Sequence, residues 1–314
     1  MLNSWRLFKL HIYAWWEGYD ADELMALYER QSQPAESITE EEAEKQITIP
    51  PLAPWETPRI RIVQLIWGAG WDKPGGPEHI LRLVKPFSLD PSKSIMEFGA
   101  GLGGGARAIA HDCAVWVTAF EGDAELTKGG KNLSVLAGLD RKAEMQLHVP
   151  ADFQPGSKHF DCILSAEALF TYPGKYDLLA RFQETLKAQG QMSITDFVLA
   201  PDASPEDERL QGIDDRPVEL WRVDQYESRF RELSLDLRIT EDITEQYRKL
   251  ILAGLANFAH GDELTLATAR AYPAAVSAEL NKWTARLTAL DAGLLQVVRL
   301  FVIKKGGAKL MSDW

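Results

Sequence analysis

Between Ser94 and Gly105 the chain reads SIMEFGAGLGGG: an apolar run carrying one carboxylate, then five glycines in seven residues. Glycines at a strand end let the backbone turn sharply and pass close to a ligand. A helix that follows such a turn offers free N–H groups. Together these are the parts of a nucleotide site at the carboxyl ends of parallel strands. Gly99, Gly101 and Gly104 by themselves satisfy G-x-G-x-x-G, a pattern that also serves nicotinamide and flavin dinucleotides. Glu97 separates the alternatives. It lies two residues before Gly99, where a dinucleotide fingerprint has an apolar side chain, and a carboxylate at a strand tip is costly unless it meets a partner. A ligand carrying positive charge supplies that partner. Glu121 follows the next apolar run, 20 residues after Gly101, and can accept both hydroxyls of a ribose, as in any nucleoside ligand. Asp152 and Phe153 could accept from the exocyclic amine of an adenine and pack on its ring, or be a loop acid and a core aromatic.

The elements that must position these residues alternate regularly. Strands are expected at Ser94–Phe98, Val115–Phe120, Met145–Val149, Phe160–Ser165 and Gln191–Phe197, with helices through Ala106–Ala110, at Ala124–Leu136 and around Tyr176–Leu186. Strands separated by helices imply a parallel sheet covered on both faces. After the polar stretch Pro201–Glu208 the pattern changes to helices at Val218–Arg231, Thr244–Phe258 and Glu263–Leu290, the last interrupted at Pro273, with strands at Leu235–Thr240 and Leu294–Ile303. Ahead of the sheet lies an aromatic segment (Trp5, Phe8, Tyr13, Trp15, Trp16, Tyr19), then an acidic, proline-bearing connector from Gln33 to Pro54.

The bulk composition narrows the class. The chain has 314 residues with a net charge of −12, and no Lys/Arg cluster marks a nucleic-acid face. Cys113 and Cys162, its two cysteines, sit in apolar runs and read as buried free thiols in a reducing cytoplasm. No apolar run reaches the length of a membrane span, and Arg6, Lys9 and Glu17 interrupt any signal-peptide pattern. The charge of the aromatic arm disfavours anionic lipid, so it reads as a homodimer contact or an active-site lid. The six histidines show no metal spacing, and no metal site is expected; His148 and His159 read as ordinary packing at strand edges.

The stretch Ile66–Pro201 resembles class I S-adenosylmethionine-dependent methyltransferases, and within them the small-molecule N-methyltransferases acting on phosphoethanolamine, glycine or sarcosine. The resemblance is carried by Ile66-Trp67-Gly68-Ala69-Gly70-Trp71, Pro74-Gly75-Gly76, the run Glu97–Gly105, Ile194-Thr195-Asp196-Phe197 and Glu241–Tyr247. It implies an α/β fold: a Rossmann-like seven-stranded sheet, its last strand antiparallel, with a helical N-terminal arm and a helical cap. The expected division is an arm and connector over 1–75, the cofactor-binding core over 76–200, and a cap with the last strands over 201–314. Its cofactor would be S-adenosylmethionine, with Glu97, Gly99 and Gly101 framing the methionine portion, Glu121 the ribose, and Asp152 with Phe153 the adenine. Trp71 would begin a segment to Gly76 that closes over the cofactor; Ala100, Gly122 and Ser165 complete the expected cofactor set.

The acceptor side departs from the family. Phosphoethanolamine methyltransferases place an Arg and then a His in and after the fourth strand's tip, where this chain has Ala166 and Thr171. Methyl transfer is an in-line displacement in which the enzyme supplies mainly positioning and desolvation. A base is needed only for an acceptor that arrives protonated. Glu167, Thr171 and Tyr172 follow the fourth strand and are the expected catalytic residues, with a capping acid and a packing tyrosine as the plainer alternative. Trp67, Trp71, Tyr13, Trp15 and Trp16 are either an aromatic pocket for a cation or core and lid packing. Arg216 and Arg222 either hold an anionic group or lie on the surface. The expected activity is methyl transfer to a small molecule at an amine nitrogen. A nicotinamide-dependent oxidoreductase and a non-catalytic S-adenosylmethionine-binding protein are the alternatives.

Overall fold

The computed structural model describes residues 47–148, 153 and 156–306. The aromatic arm, the first part of the connector and Asp152 lie outside the described residues. Helix α1 (Pro58–Trp67) starts with Pro58 behind Thr57, whose hydroxyl accepts the Ile60 N–H. It buries Ile60, Ile62, Val63, Ile66 and Trp67. This helix falls in the segment expected as arm and connector. Helix α2 (Gly76–Val84) and a short 3-10 turn lead to strand β1 (Ser94–Phe98), then α3 (Gly104–Asp112), β2 (Trp116–Glu121), α4 (Ala124–Leu136), β3 (Ala143–Leu147), β4 (Phe160–Ala166), α5 (Lys175–Thr185) and β5 (Leu186–Leu199). The C-terminal part adds α6 (Val223–Glu232), β6 (Leu235–Asp242), α7 (Thr244–Ala259), α8 (Glu263–Ala271), α9 (Pro273–Asp291) and β7 (Leu295–Lys304).

The strands form one sheet in the order β3-β2-β1-β4-β5-β7-β6. The β3-β2-β1-β4-β5 part is parallel; β7 runs antiparallel to both β5 and β6. The seven-stranded α/β sheet expected from the sequence is therefore the fold, with the late strand antiparallel. Two details differ. β3 begins at Ala143, two residues before the expected Met145, because Ala143 and Met145 alternate inward on an edge strand. Helix α6 begins at Val223 rather than Val218: the residues before it run extended, and Glu219 N–H donates to Phe170 O at 2.7 Å.

Alternate residues of each strand feed two cores. Met96, Phe98, Ile163, Met192 and Ile194 pack with Leu178, Phe182, Tyr226 and Phe230 of α5 and α6. On the other face Ile95, Val117, Ala119, Cys162 and Leu164 pack with Ile80, Leu83, Ala106 and Ile109 of α2 and α3. A third core joins α1, α7, α8 and α9 through Trp67, Tyr247, Leu255, Ala269, Trp283 and Leu287, and makes the helical cap. Leu199, Ala200 and Leu295 belong to this third core, so the cap grows out of the carboxyl edge of β5 and the start of β7. That edge is also where β1 ends in the glycine loop.

Candidate active site

The glycine loop leaves β1 with Gly99, Gly101 and Gly103 at φ of 71°, 58° and 73°. At two of these positions a side chain is also excluded by space: a β-carbon on Gly99 would overlap the Ala168 side chain, and one on Gly101 the Asp72 carboxylate. Acids fix the loop from two sides. Gly101 N–H donates to Glu121 Oε2 at 2.7 Å and Asp123 N–H to Glu121 Oε1 at 2.9 Å. Leu102 N–H donates to Asp72 Oδ1 at 2.8 Å. Arg107 locks the outer side, its two Nη groups donating to Leu102 O at 2.7 Å and Gly70 O at 2.6 Å.

Glu97 lies behind this loop. It shares the β1 face of Ile95, is buried, and meets the start of α3, where Gly103 supplies no side-chain cap. The Ala106 N–H and the charges of Lys73 and Arg107 favour its ionised form, but burial outweighs them and lifts its carboxyl to about 7. Its Oε2 has no hydrogen-bond partner, and an unpaired buried oxygen of this kind carries a desolvation cost that a nearby cation would offset.

The second wall is the tip of β4. Glu167 sits there at φ 45°, a backbone region that a residue with a side chain rarely adopts. Its N–H donates to Thr195 O at 2.7 Å, and Thr195 Oγ1 donates to its Oε1 at 2.5 Å. His79 Nε2, from α2, lies 3.5 Å from the same oxygen. Burial opposes charge on Glu167, yet His79, Lys73 and Thr195 together hold its carboxyl below the ordinary value. The turn after it carries Thr171 and Tyr172. That turn is held by the buried Asp196, which accepts from Phe170 N–H at 2.9 Å, from Tyr226 OH at 2.7 Å and from Lys175 Nζ at 3.5 Å. Tyr172 Oη lies 3.4 Å from His148 Nδ1, and burial raises its phenol.

Between these walls is a cavity of about 460 Å³. Gly99, Gly101, Glu121, Gly122, Glu167, Thr171 and Tyr172 line it, so the structure brings together all three expected catalytic residues and four of the cofactor set. Trp71 packs instead on Gly104, and Ala100, Phe153 and Ser165 are buried in the protein. The ring of Phe153 meets Phe98 and Phe120 at 4.9 and 5.1 Å between centroids. Glu97 stands behind the loop rather than on the cavity wall. Trp67 is core: it stacks 4.7 Å from Trp283, and both indoles donate to Glu279 Oε1. Arg222 holds the carbonyls of Ala200, Pro201 and Ala203, while Arg216 does line the cavity.

Asp72 and Lys73, from the Trp71–Gly76 segment expected to close over the cofactor, line the cavity, whereas Lys282, Trp283 and Arg286 of α9 line it with no sequence signal. His148, read as packing, lines the cavity beside Tyr172. The cations of the cap are largely neutralised. Arg286 and Arg216 both pair with Asp214 at 2.8 and 2.9 Å, and Lys282 pairs with Glu279 at 2.7 Å. Among the described residues no group of histidines, cysteines or acids is placed to hold a metal ion, and no helix is long and apolar enough to cross a membrane.

No family model matches the chain. It is 26% identical to phosphoethanolamine N-methyltransferase 3 of Arabidopsis thaliana over 186 residues, covering 59% of this chain and 37% of the relative. It is 25% identical to phosphoethanolamine N-methyltransferase of Triticum aestivum over 200 residues, 63% of this chain and 38% of the relative. The chain thus spans well under half the length of these curated relatives. Among solved structures it is similar to phosphoethanolamine N-methyltransferase 2 of Haemonchus contortus in complex with phosphomonomethylethanolamine and S-adenosylhomocysteine, with a TM-score of 0.66 at 20% identity over 80% of this chain and 58% of that one. It is also similar to the cyclase SpnF, with a TM-score of 0.63 at 15% identity over 82% of this chain and all of that one. The class I methyltransferase resemblance read from the sequence is borne out by relatives of that group, and the fold is theirs.

Proposed function

We propose that this chain is an S-adenosylmethionine-dependent methyltransferase that modifies a small molecule at an amine nitrogen. The sequence relatives support the reaction class. The observation that carries the cofactor is the acid-lined glycine loop with the unpartnered oxygen of Glu97 behind it. A loop whose glycines leave no room for side chains forms a cradle, and a buried carboxylate lacking a partner fits a ligand bearing cationic groups. Gly99, Gly101 and Gly122 would cradle the ligand. Glu121 keeps free lone pairs on both oxygens beyond its two backbone bonds and would accept ribose hydroxyls. When bound, S-adenosylmethionine supplies an electrophilic methyl on a sulfonium.

The chain's own residues define the acceptor side. Glu167, held ionised at the β4 tip, would accept a hydrogen bond or a proton from an amine at its carboxylate oxygens. Thr171, Tyr172 and His148 would orient the acceptor, while Trp283 and the paired Arg216 and Arg286 exclude water from above. The two free thiols, one buried, support the expectation of a reducing compartment. The fold alone does not choose the reaction, since one structural neighbour is a cyclase.

Titration calorimetry with S-adenosylmethionine, S-adenosylhomocysteine and NAD tests the cofactor. Binding of the first two and not the third is expected, and binding of NAD alone overturns the proposal. A panel of small amines assayed for S-adenosylhomocysteine release then tests the acceptor class. Turnover of hydroxyl or carbon acceptors, with no amine turned over, would replace nitrogen as the acceptor atom.

A further inference from the structure

Lys73 stands on the loop between α1 and α2, in the wall of the cavity. Its ammonium donates to two backbone carbonyls, Gly99 O and Ala166 O, each at 2.7 Å. These carbonyls lie just beyond Phe98 and Ser165, the last register pair of the parallel strands β1 and β4. Two strand tips therefore converge on one cation at the carboxyl edge of the sheet.

The charges around this point explain what holds Lys73 there. The positive charge of Lys73 favours the ionised forms of Asp72, Glu97 and Glu167, although burial still holds the carboxyls of Asp72 and Glu97 above their ordinary value. Arg107 acts on Asp72 and Glu97 but is committed to the outer side of the loop, and His79 acts on Glu167 alone. Lys73 is thus the charge common to all three acids. Two carbonyl acceptors flanked by carboxylates make a seat for a primary ammonium, which has three donors and no acceptor.

The cofactor proposed above carries one primary ammonium, on its methionine end. The seat beside the glycine loop matches that group, and it accommodates one ammonium at a time. We propose that Lys73 is an internal occupant of the cofactor's ammonium seat, so that cofactor binding must displace it from Gly99 O and Ala166 O. This inference rests on the cofactor reading. With the seat filled by the chain itself, only the unseated form is competent to bind. The apparent affinity falls by the unseated fraction, so a population about 90% seated weakens binding about tenfold. The chain thereby keeps its buried acids neutralised before the ligand's cations arrive.

The test is calorimetric binding of S-adenosylhomocysteine, which retains the ammonium, to the wild type and to Lys73→Met. The variant is expected to bind about tenfold more tightly, and its ligand-free form to melt at a lower temperature because the three acids lose their shared cation. A lysine that merely braces the loop would move the melting temperature alone. Unchanged or weaker binding by Lys73→Met overturns the proposal; a lysine that grips the ligand's carboxylate would give the weaker result. Should that variant fail to fold, amine acetylation of the wild type, read by peptide mass spectrometry, decides. Labelling of Lys73 is expected to rise as S-adenosylhomocysteine is added, and a fall overturns the displacement. If neither S-adenosylmethionine nor S-adenosylhomocysteine binds wild type or variant, the cofactor reading itself fails and the displacement with it.

Discussion

The two halves of the cavity are built by different means. The loop half is mostly backbone: glycines at positive φ, N–H groups aimed at Glu121 and Asp72, and partners only 20 and 30 residues apart in the chain. The cap half is made of side chains brought from a distance. Arg286 reaches Ile213 O and Asp214 across 73 and 72 residues, and Trp67 meets Glu279 across 212. The difference teaches where tolerance lies. A backbone-built cradle has no spare volume, while a wall of paired side chains can change its members and so its acceptor without disturbing the loop.

The largest expected effect separates the halves by stability. Arg286 is buried, donates to Ile213 O and Asp214, and lies over the Trp283 ring at 4.2 Å. Arg286→Met leaves Asp214 with Arg216 alone, and breaking a buried pair is expected to destabilise the fold by roughly 3 kcal/mol. Affinity for S-adenosylhomocysteine at 25 °C should stay within about twofold, since Arg286 shares no hydrogen-bond partner with the glycine loop. Calorimetric melting and binding measure both. A large loss of binding would show that the halves are one unit.

Gly101→Ala probes the opposite wall. Its methyl would enter the Asp72 carboxylate at a φ that favours glycine. Binding of S-adenosylhomocysteine should weaken about 100-fold, or about 2.7 kcal/mol, with the circular dichroism of the sheet retained. A variant that binds normally would mean that the loop relaxes, and that the contrast in tolerance is not real.

Glu97 adds a pH dependence confined to the loop half. Its carboxyl stands at about 7 in the fold, above the ordinary 4.5, mainly through burial. The ligand-free fold therefore holds this proton more tightly than the unfolded chain does. Stability falls as pH rises from about 4.5 to about 7 and then levels, and Glu97→Gln should remove that part of the slope. A cation favours the ionised form, so wild-type affinity for S-adenosylhomocysteine should rise about tenfold from pH 6 to pH 8. Affinity of Glu97→Gln should stay flat over the same range. Parallel pH profiles for the two proteins would detach Glu97 from the ligand and leave it as a cap for α3.

The same contrast explains what could be read in advance. The strand at Ser94–Phe98, the helix at Ala124–Leu136 and the glycine loop are local patterns, and their positions follow from periodicity and from Asp123, which caps α4. The antiparallel β7 was legible as a β-branched run after a helical stretch. Helix α1 was missed because Arg59 and Arg61 interrupt its apolar face, although Thr57 and Pro58 signal its start. Lys73 is legible only as a member of the Trp71–Gly76 segment, and Trp283 and Arg286 not at all: nothing in a lysine's or arginine's neighbours announces which carbonyl or carboxylate the fold will bring to it. His148 packs among aromatic rings as the sequence suggests, but its place in the cavity wall depends on Tyr172, which arrives from 24 residues away.

The smallest expected effect falls on that Tyr172–His148 contact. At 3.4 Å it is a weak hydrogen bond. The ring is held mainly by packing, 4.9 Å from Phe98 and 5.8 Å from His148 between centroids. Tyr172→Phe keeps that packing and removes only the hydroxyl, so stability should fall by about 0.5 kcal/mol and S-adenosylhomocysteine affinity should not change. Once an acceptor is known, its KM should rise while kcat for the bound complex changes less, because the hydroxyl would orient the acceptor and Glu167 would handle its proton. If kcat falls steeply with KM unchanged, the roles are reversed. The phenol beside His148 would then be the group acting in the transition state, and the plasticity assigned to the cap half would stop short of the β4 turn.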